Sequence, residues 1–254
     1  MAETNIWIAL LLTSLAGLAT TVGSLIGLAV RKPGPKLMGF ILGFSAGVMI
    51  FVSFVELLQK GVHAVGFVQG HAAFFVGMLG FFLLDTLVPH TYLGDEDISD
   101  KHKENRLTRT GLLIALGIGV HNFPEGMATF AGALKDFRLG IAIAVAIAIH
   151  NIPEGLAVSA PIYSATGSRK KAFLWSFLSG VSEPLGAGVA ALILMPILTE
   201  AVLGWMLAFV AGIMVAISVD ELVPAAKSFD TEHMPIAGIM SGMFIMALSL
   251  WMLK

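Results

Sequence analysis

The chain has 254 residues, 57% hydrophobic and 13% charged, with a mean hydropathy of +0.88, a composition foreign to soluble domains. A net charge of −2 leaves no basic field for nucleic acid. Without cysteine there are no disulfides, no thiolate metal sites and no cysteine nucleophile.

A transmembrane helix needs about 20 apolar residues. On that measure the sequence predicts eight spans, at roughly 6–29, 37–58, 67–89, 109–132, 138–162, 172–195, 201–224 and 235–253. Barrel strands would be half as long and alternating. The leading residues Met1–Asn5 lack the basic stretch of a cleaved signal peptide, so the first run is expected to remain as a helix. The expected fold is all-α integral membrane, a single polytopic transmembrane domain over 1–254.

The basic residues orient it. Arg31, Lys32, Lys36, Lys101, Lys103, Arg106, Arg109, Arg169, Lys170, Lys171 and Lys227 fall on one side; Lys60, Lys135, Arg138 and Lys254 fall on the other. The richer side is expected to be cytoplasmic, with both termini outside, in a bacterial inner (plasma) membrane. The longest loop, about 90–108, is then cytoplasmic. It mixes Asp95, Glu96, Asp97, Asp100 and Glu104 with basic residues, His90 and His102. Such a mixed run reads as a solvated linker or, less simply, as a loop that collects metal.

Two internal repeats are visible. Phe44–Met49 through Glu56-Leu57 aligns with Phe209–Met214 through Glu221-Leu222 at an offset of 165. Leu15-Ala16-Gly17 through Gly23 aligns with Leu178-Ser179-Gly180 through Gly186 at an offset of 163. Spans 1 and 2 thus resemble spans 6 and 7. Equivalent spans are five apart and cross in opposite directions, so spans 1–3 and 6–8 form an inverted repeat around spans 4 and 5, a construction common in secondary transporters.

Spans 4 and 5 hold a second repeat: His121-Asn122-Phe123-Pro124-Glu125-Gly126 and His150-Asn151-Ile152-Pro153-Glu154-Gly155. Mirror placement about the 134–137 hairpin sets both copies at one depth, near the bilayer centre. His121 and Glu125 share a helix face, as do His150 and Glu154, and Asn122 and Asn151 line its edge. Pro124 and Pro153 cannot donate to the carbonyls of Val120 and Ile149, so a bend is expected beside the histidines. Glu183, in Ser182-Glu183-Pro184, lies at similar depth in span 6. Three carboxylates there would cost about 8–10 kcal/mol on an insertion scale, with no Lys or Arg at that depth to neutralise them. Protons or a bound cation must do so. Two imidazoles and three carboxylates suit a divalent transition metal, or two ions bridged by carboxylate. Because ligating carboxylates take up protons when no metal is bound, acid is expected to weaken binding.

Other acids sit nearer the span ends: Glu56 toward the outside, Asp85, Asp220 and Glu221 toward the inside. They either reach the interface or serve as stations on an ion path, the last three at the exit. Met49 is either packing or a soft ligand.

Together HNFPEGMA at 121–128, HNIPEGLA at 150–157, SEP at 182–184 and the AGxM…S…EL pattern in spans 2 and 7 resemble the ZIP (Zrt/Irt-like protein) family of divalent metal transporters, in particular its bacterial ZupT-like and GufA-like branches. The resemblance covers the whole chain. It implies eight helices, outward termini and import of metal into the cytoplasm, by a transporter rather than an enzyme. It implies no catalytic cofactor, zinc first among the transported ions, and iron(II), manganese, cobalt and cadmium as further substrates. It also implies a two-metal centre. His121, Glu125, His150 and Glu154 would form one site; Asn122, Asn151 and Glu183, with the two motif glutamates bridging, would form its neighbour. A homodimer, and a block of helices 1, 4, 5 and 6 moving against helices 2, 3, 7 and 8, are further implications. Unlike many relatives, this chain has no histidine-rich loop between helices 3 and 4. The competing reading, an intramembrane metal-dependent hydrolase, lacks the His-Glu-x-x-His signature in which a base adjoins a ligand.

Overall fold

The computed structural model describes residues 6–29, 34–86, 100–135, 137–194, 197, 199–229 and 232–252. The described residues form eight helical rods. They are α1 (Ile6–Ala29), α2 (Pro35–Val65), α3 (Phe67–Thr86), α4 (Asp100–Lys135), α5 (Phe137–Thr166), α6 (Arg169–Val189, continuing through Ala190–Leu194), α7 (Glu200–Lys227) and α8 (Met234–Met252). Among the described residues five helical stretches are long and apolar enough to cross a membrane: Ile6–Ala29, Pro35–Val65, Ile143–Thr166, Glu200–Lys227 and Met234–Met252. The outer surface is studded with exposed Leu, Ile, Val and Phe, and with Trp7 and Trp251 close to the two ends of the chain. Such a surface suits lipid, where a helix satisfies its own backbone, and tryptophans near helix ends suit the interface. The protein is an all-α integral membrane protein.

A helical rod lies on each of the eight expected spans, and several rods outrun their apolar runs. The expected 90–108 loop is corrected in part: residues 100–108 are the first turns of α4. Residues 87–99, with His90, lie outside the described residues, as does the side chain of His102. Local signals set the other ends. Gly34 precedes Pro35, whose missing N–H costs nothing at a first helical position. Ser168 and Thr199 cap α6 and α7 by accepting from the backbone N–H of Lys171 and Val202. Gly66 at φ 89° and Gly167 at φ 62° close α2 and α5 in the left-handed region, where a Cβ would be strained.

Glycines hold the rods together, and their partners repeat with the two offsets found in the sequence. A Cβ placed on Gly17 would lie 2.7 Å from the Gly180 carbonyl oxygen, and one on Gly180 would lie 2.7 Å from that of Gly17. A Cβ on Gly23 would lie 1.9 Å from the Ile152 carbonyl oxygen, and one on its equivalent Gly186 would lie 2.0 Å from that of Phe123. One on Gly47 would lie 2.1 Å from the Ile239 carbonyl oxygen, and one on Gly212 would lie 1.9 Å from that of Phe74. The inverted repeat is therefore present in the packing as a pseudo-twofold that exchanges α1–α3 with α6–α8 and α4 with α5. It extends to detail: Ser53–Leu57 in α2 and Ser218–Leu222 in α7 are both π-helical turns. Their serines donate to the equivalent carbonyls of Met49 and Met214. π turns of this kind recur at functional sites.

The close glycine-to-backbone approaches among the described residues fall within α1, α4, α5 and α6, or within α2, α3, α7 and α8. Gly117 of α4 does face the second group, but it meets only the side-chain atoms of Ile217 and Phe81, at 3.1 Å. An apolar crevice of about 410 Å³ lies along the same seam, between Phe123, Pro124 and Met127 of α4 and Val76, Trp205 and Phe209 of α3 and α7. Met49 and Met214 are fully buried in the large apolar core.

Candidate metal centre

α4 and α5 stay helical through Pro124 and Pro153. Glycines in their motifs let neighbouring helices close in. A Cβ added to Gly126 would lie 2.1 Å from the Glu183 carbonyl oxygen of α6, and one added to Gly155 would lie 1.8 Å from that of Thr20 in α1. His121, Asn122, Asn151, Glu154 and Glu183 are fully buried, and Glu125 and His150 are 1% exposed.

Of the seven expected residues, the four motif histidines and glutamates pair off, with one feature the spacing did not show. Each histidine pairs with the glutamate of the other motif. His121 Nε2 lies 3.0 Å from Glu154 Oε1, and His150 Nε2 lies 2.9 Å from Glu125 Oε1. The asparagines follow the same pseudo-twofold. The Asn122 amide donates to the Ser179 carbonyl at 3.3 Å, and the Asn151 amide to that of Ala16 at 2.9 Å. Asn151 also donates to Glu183 Oε1. Thr20 holds the position equivalent to Glu183, so the second carboxylate of the pseudo-twofold is absent.

The polar capacity is only half used. Among the described residues, His121 Nδ1, Asn122 Oδ1, Glu125 Oε2, Asn151 Oδ1, Glu154 Oε2 and Glu183 Oε2 are buried with no hydrogen-bond partner. A buried unsatisfied group costs about 1–3 kcal/mol, so six in one place is an arrangement that packing alone does not favour. All but the ring nitrogen are acceptor oxygens, the donor set of a cation.

A second cluster lies toward the ends of α3 and α7. Asp85, Asp220 and Glu221 bring carboxylate oxygens within 4.8 Å of one another, with Asp85 and Glu221 buried and Asp220 exposed. The sequence placed all three near one membrane face but could not show that they meet. Glu56 forms an i,i+4 ion pair with Lys60 at 2.5 Å. That is the behaviour of an interface acid.

The model of the family described as ZIP Zinc transporter matches residues 89–250. The chain belongs to the ZIP family. Among ZIP relatives, a protein named Zinc transporter ZupT from Oceanobacillus iheyensis is 52% identical over 265 aligned positions, covering 98% of this chain and 99% of its own. ZIP proteins of the same name from Akkermansia muciniphila and an Enterobacter species are 46% and 44% identical, with 96% or more of both chains covered. ZIP membership makes the chain a member of a transporter family, and the hydrolase reading falls with it.

Proposed function

We propose that this protein carries divalent transition metal ions, zinc first, across the membrane into the cytoplasm, with His121, Asn122, Glu125, His150, Asn151, Glu154 and Glu183 as the mid-membrane ligands. The observation that carries the reading is the pair of crossed His–Glu contacts beside six unpartnered polar atoms. Zinc binds imidazole nitrogen and carboxylate oxygen at about 2.0–2.2 Å in tetrahedral geometry. Nitrogen and oxygen on one such ion would stand about 3.3 Å apart. The contacts at 3.0 and 2.9 Å need to open by only a few tenths of an ångström to take an ion. The ion takes the place of the hydrogen that joins imidazole to carboxylate, so metal and proton exclude each other. Glu125 and Glu154 each keep one free oxygen. These oxygens can bridge to a second ion held by Asn122, Asn151 and Glu183.

Mixed nitrogen and oxygen ligands discriminate weakly between zinc and its neighbours in the first transition row. Iron(II), manganese and cobalt, and cadmium beyond that row, therefore belong among the substrates. The seam supports alternating access: α1, α4, α5 and α6 would carry the ion as a unit against α2, α3, α7 and α8, with the close glycine-to-backbone approaches kept inside each group and the Ser45 hydroxyl donating to the Pro153 carbonyl across the seam. Both termini face outward in this reading, and Asp85, Asp220 and Glu221 receive the ion on the cytoplasmic side. Asp85→Asn is then expected to slow uptake with the ion's affinity at the centre unchanged, as parallel uptake and calorimetry would register. Equal loss of both would move the trio out of the path.

The test is uptake of radioactive zinc into sealed liposomes, with a panel of competing divalent ions and with and without a pH gradient. Zinc accumulation suppressed by iron(II), manganese, cobalt and cadmium is the expected result. No flux from protein that folds and binds zinc would make it a metal-binding membrane protein without transport.

A further inference from the structure

We infer that Thr20 is the pseudo-symmetric counterpart of Glu183, and that its hydroxyl faces the metal centre as a neutral oxygen ligand beside Asn122. The inference rests on the metal-transport reading of that centre and adds a residue to it.

Three observations converge. The first is position. The offset of 163 that relates Gly17 to Gly180 takes Thr20 to Glu183. The surroundings agree: a Cβ on Gly17 would lie 3.1 Å from the Glu183 Cβ, and one on Gly180 would lie 3.1 Å from the Thr20 Cβ. The carbonyl of Thr20 meets Gly155 as the carbonyl of Glu183 meets Gly126.

The second is an unspent hydroxyl. Many hydroxyls in these helices donate to the carbonyl four residues back: Thr13 to Ala9, Ser53 to Met49, Thr129 to Glu125, Ser159 to Gly155. Thr20 does not. The carbonyl it would use, Ala16, already accepts from the Asn151 amide. Thr20 is fully buried, and among the described residues its Oγ1, like Thr21 Oγ1 and Ser24 Oγ on the same helix, has no hydrogen-bond partner. A buried hydroxyl ordinarily has one.

The third is what the pseudo-twofold sets beside it. Asn151 donates to Glu183. Asn122 takes the place of Asn151, and its Oδ1 is likewise without a partner. The centre thus has two half-sites of different charge: Asn151 with Glu183, and Asn122 with Thr20. A hydroxyl oxygen and an amide oxygen suit a divalent cation that keeps part of its water.

The experiment exchanges the two positions and reads the initial rate of zinc uptake into liposomes. Glu183→Thr is expected to lower it about tenfold or more. Thr20→Glu combined with Glu183→Thr is expected to regain most of it, because the carboxylate returns to the same centre from the other half. A folded double variant as slow as Glu183→Thr overturns the inference and leaves the metal centre standing. An unchanged Glu183→Thr overturns the assignment of Glu183 and the inference with it. If the double variant fails to give a monodisperse particle, Thr20→Val and Thr20→Ser decide. Zinc calorimetry should show binding about tenfold weaker in the valine variant and restored in the serine variant. Equal affinity in valine and wild type overturns the inference.

Discussion

Glu154→Ala is expected to abolish zinc uptake while leaving a folded, monodisperse protein, and His150→Ala to do the same. The size of the effect follows from the crossed pairing. Glu154 is held against His121, and His150 against Glu125. Removing one partner takes a ligand from the ion and also releases the imidazole or carboxylate that faced it. Loss of a group that orients a ligand typically costs 10–100-fold in affinity, so loss of a ligand together with its partner's orientation should exceed about 100-fold. Uptake in liposomes and zinc calorimetry measure it. Wild-type uptake in both variants would sink the site assignment. The double variant His121→Ala/Glu154→Ala should lose less than the sum of its parts, since the two residues act as a unit.

Gly126→Ala carries the second large effect, on stability. Its Cβ would stand 2.1 Å from the Glu183 carbonyl oxygen. No real contact is that short, so α4 and α6 must part by about an ångström. Overpacking of this kind costs about 3 kcal/mol, and about 6–12 °C in melting temperature for a chain of this size. The same parting moves Glu183 away from Asn151, so zinc affinity should fall with stability. Gly188→Ala is the control. It lies in α6, the helix that Gly126 packs against, with nothing within 4 Å of an added Cβ. That variant should melt at or slightly above wild type, because alanine favours the helix. Thermal unfolding in detergent separates them; equal melting temperatures would mean that α4 and α6 are not held in this approach.

The helices, the repeat and the buried polar residues of α4, α5 and α6 were legible because each leaves a mark along the chain. Length and hydropathy mark a span, an offset marks a repeat, and a carboxylate in an apolar run marks a site. What was illegible depends on neighbours. Spacing puts His121 and Glu125 on one face, but only the packing of α4 on α5 shows that His121 turns to Glu154. α4 is already helical at Asp100 because a charged segment can extend a helix beyond the membrane, where hydropathy gives no signal. Asp85 and Asp220 are 135 positions apart, and they meet because Gly77 and Gly212 bring α3 against α7. Thr20 is hidden for a different reason. A threonine in an apolar helix ordinarily bonds its own backbone, and only the structure shows that the Thr20 hydroxyl has no partner among the described residues.

Anomalous diffraction from crystals grown with zinc tests the centre most directly. A peak is expected between α4, α5 and α6, with nitrogen of His121 or His150 and oxygen of Glu125 or Glu154 at about 2.0–2.2 Å, and no such peak in the Glu125→Ala/Glu154→Ala variant. Zinc bound only at Asp85, Asp220 and Glu221, with the central pairs still closed on each other at saturating metal, would contradict it.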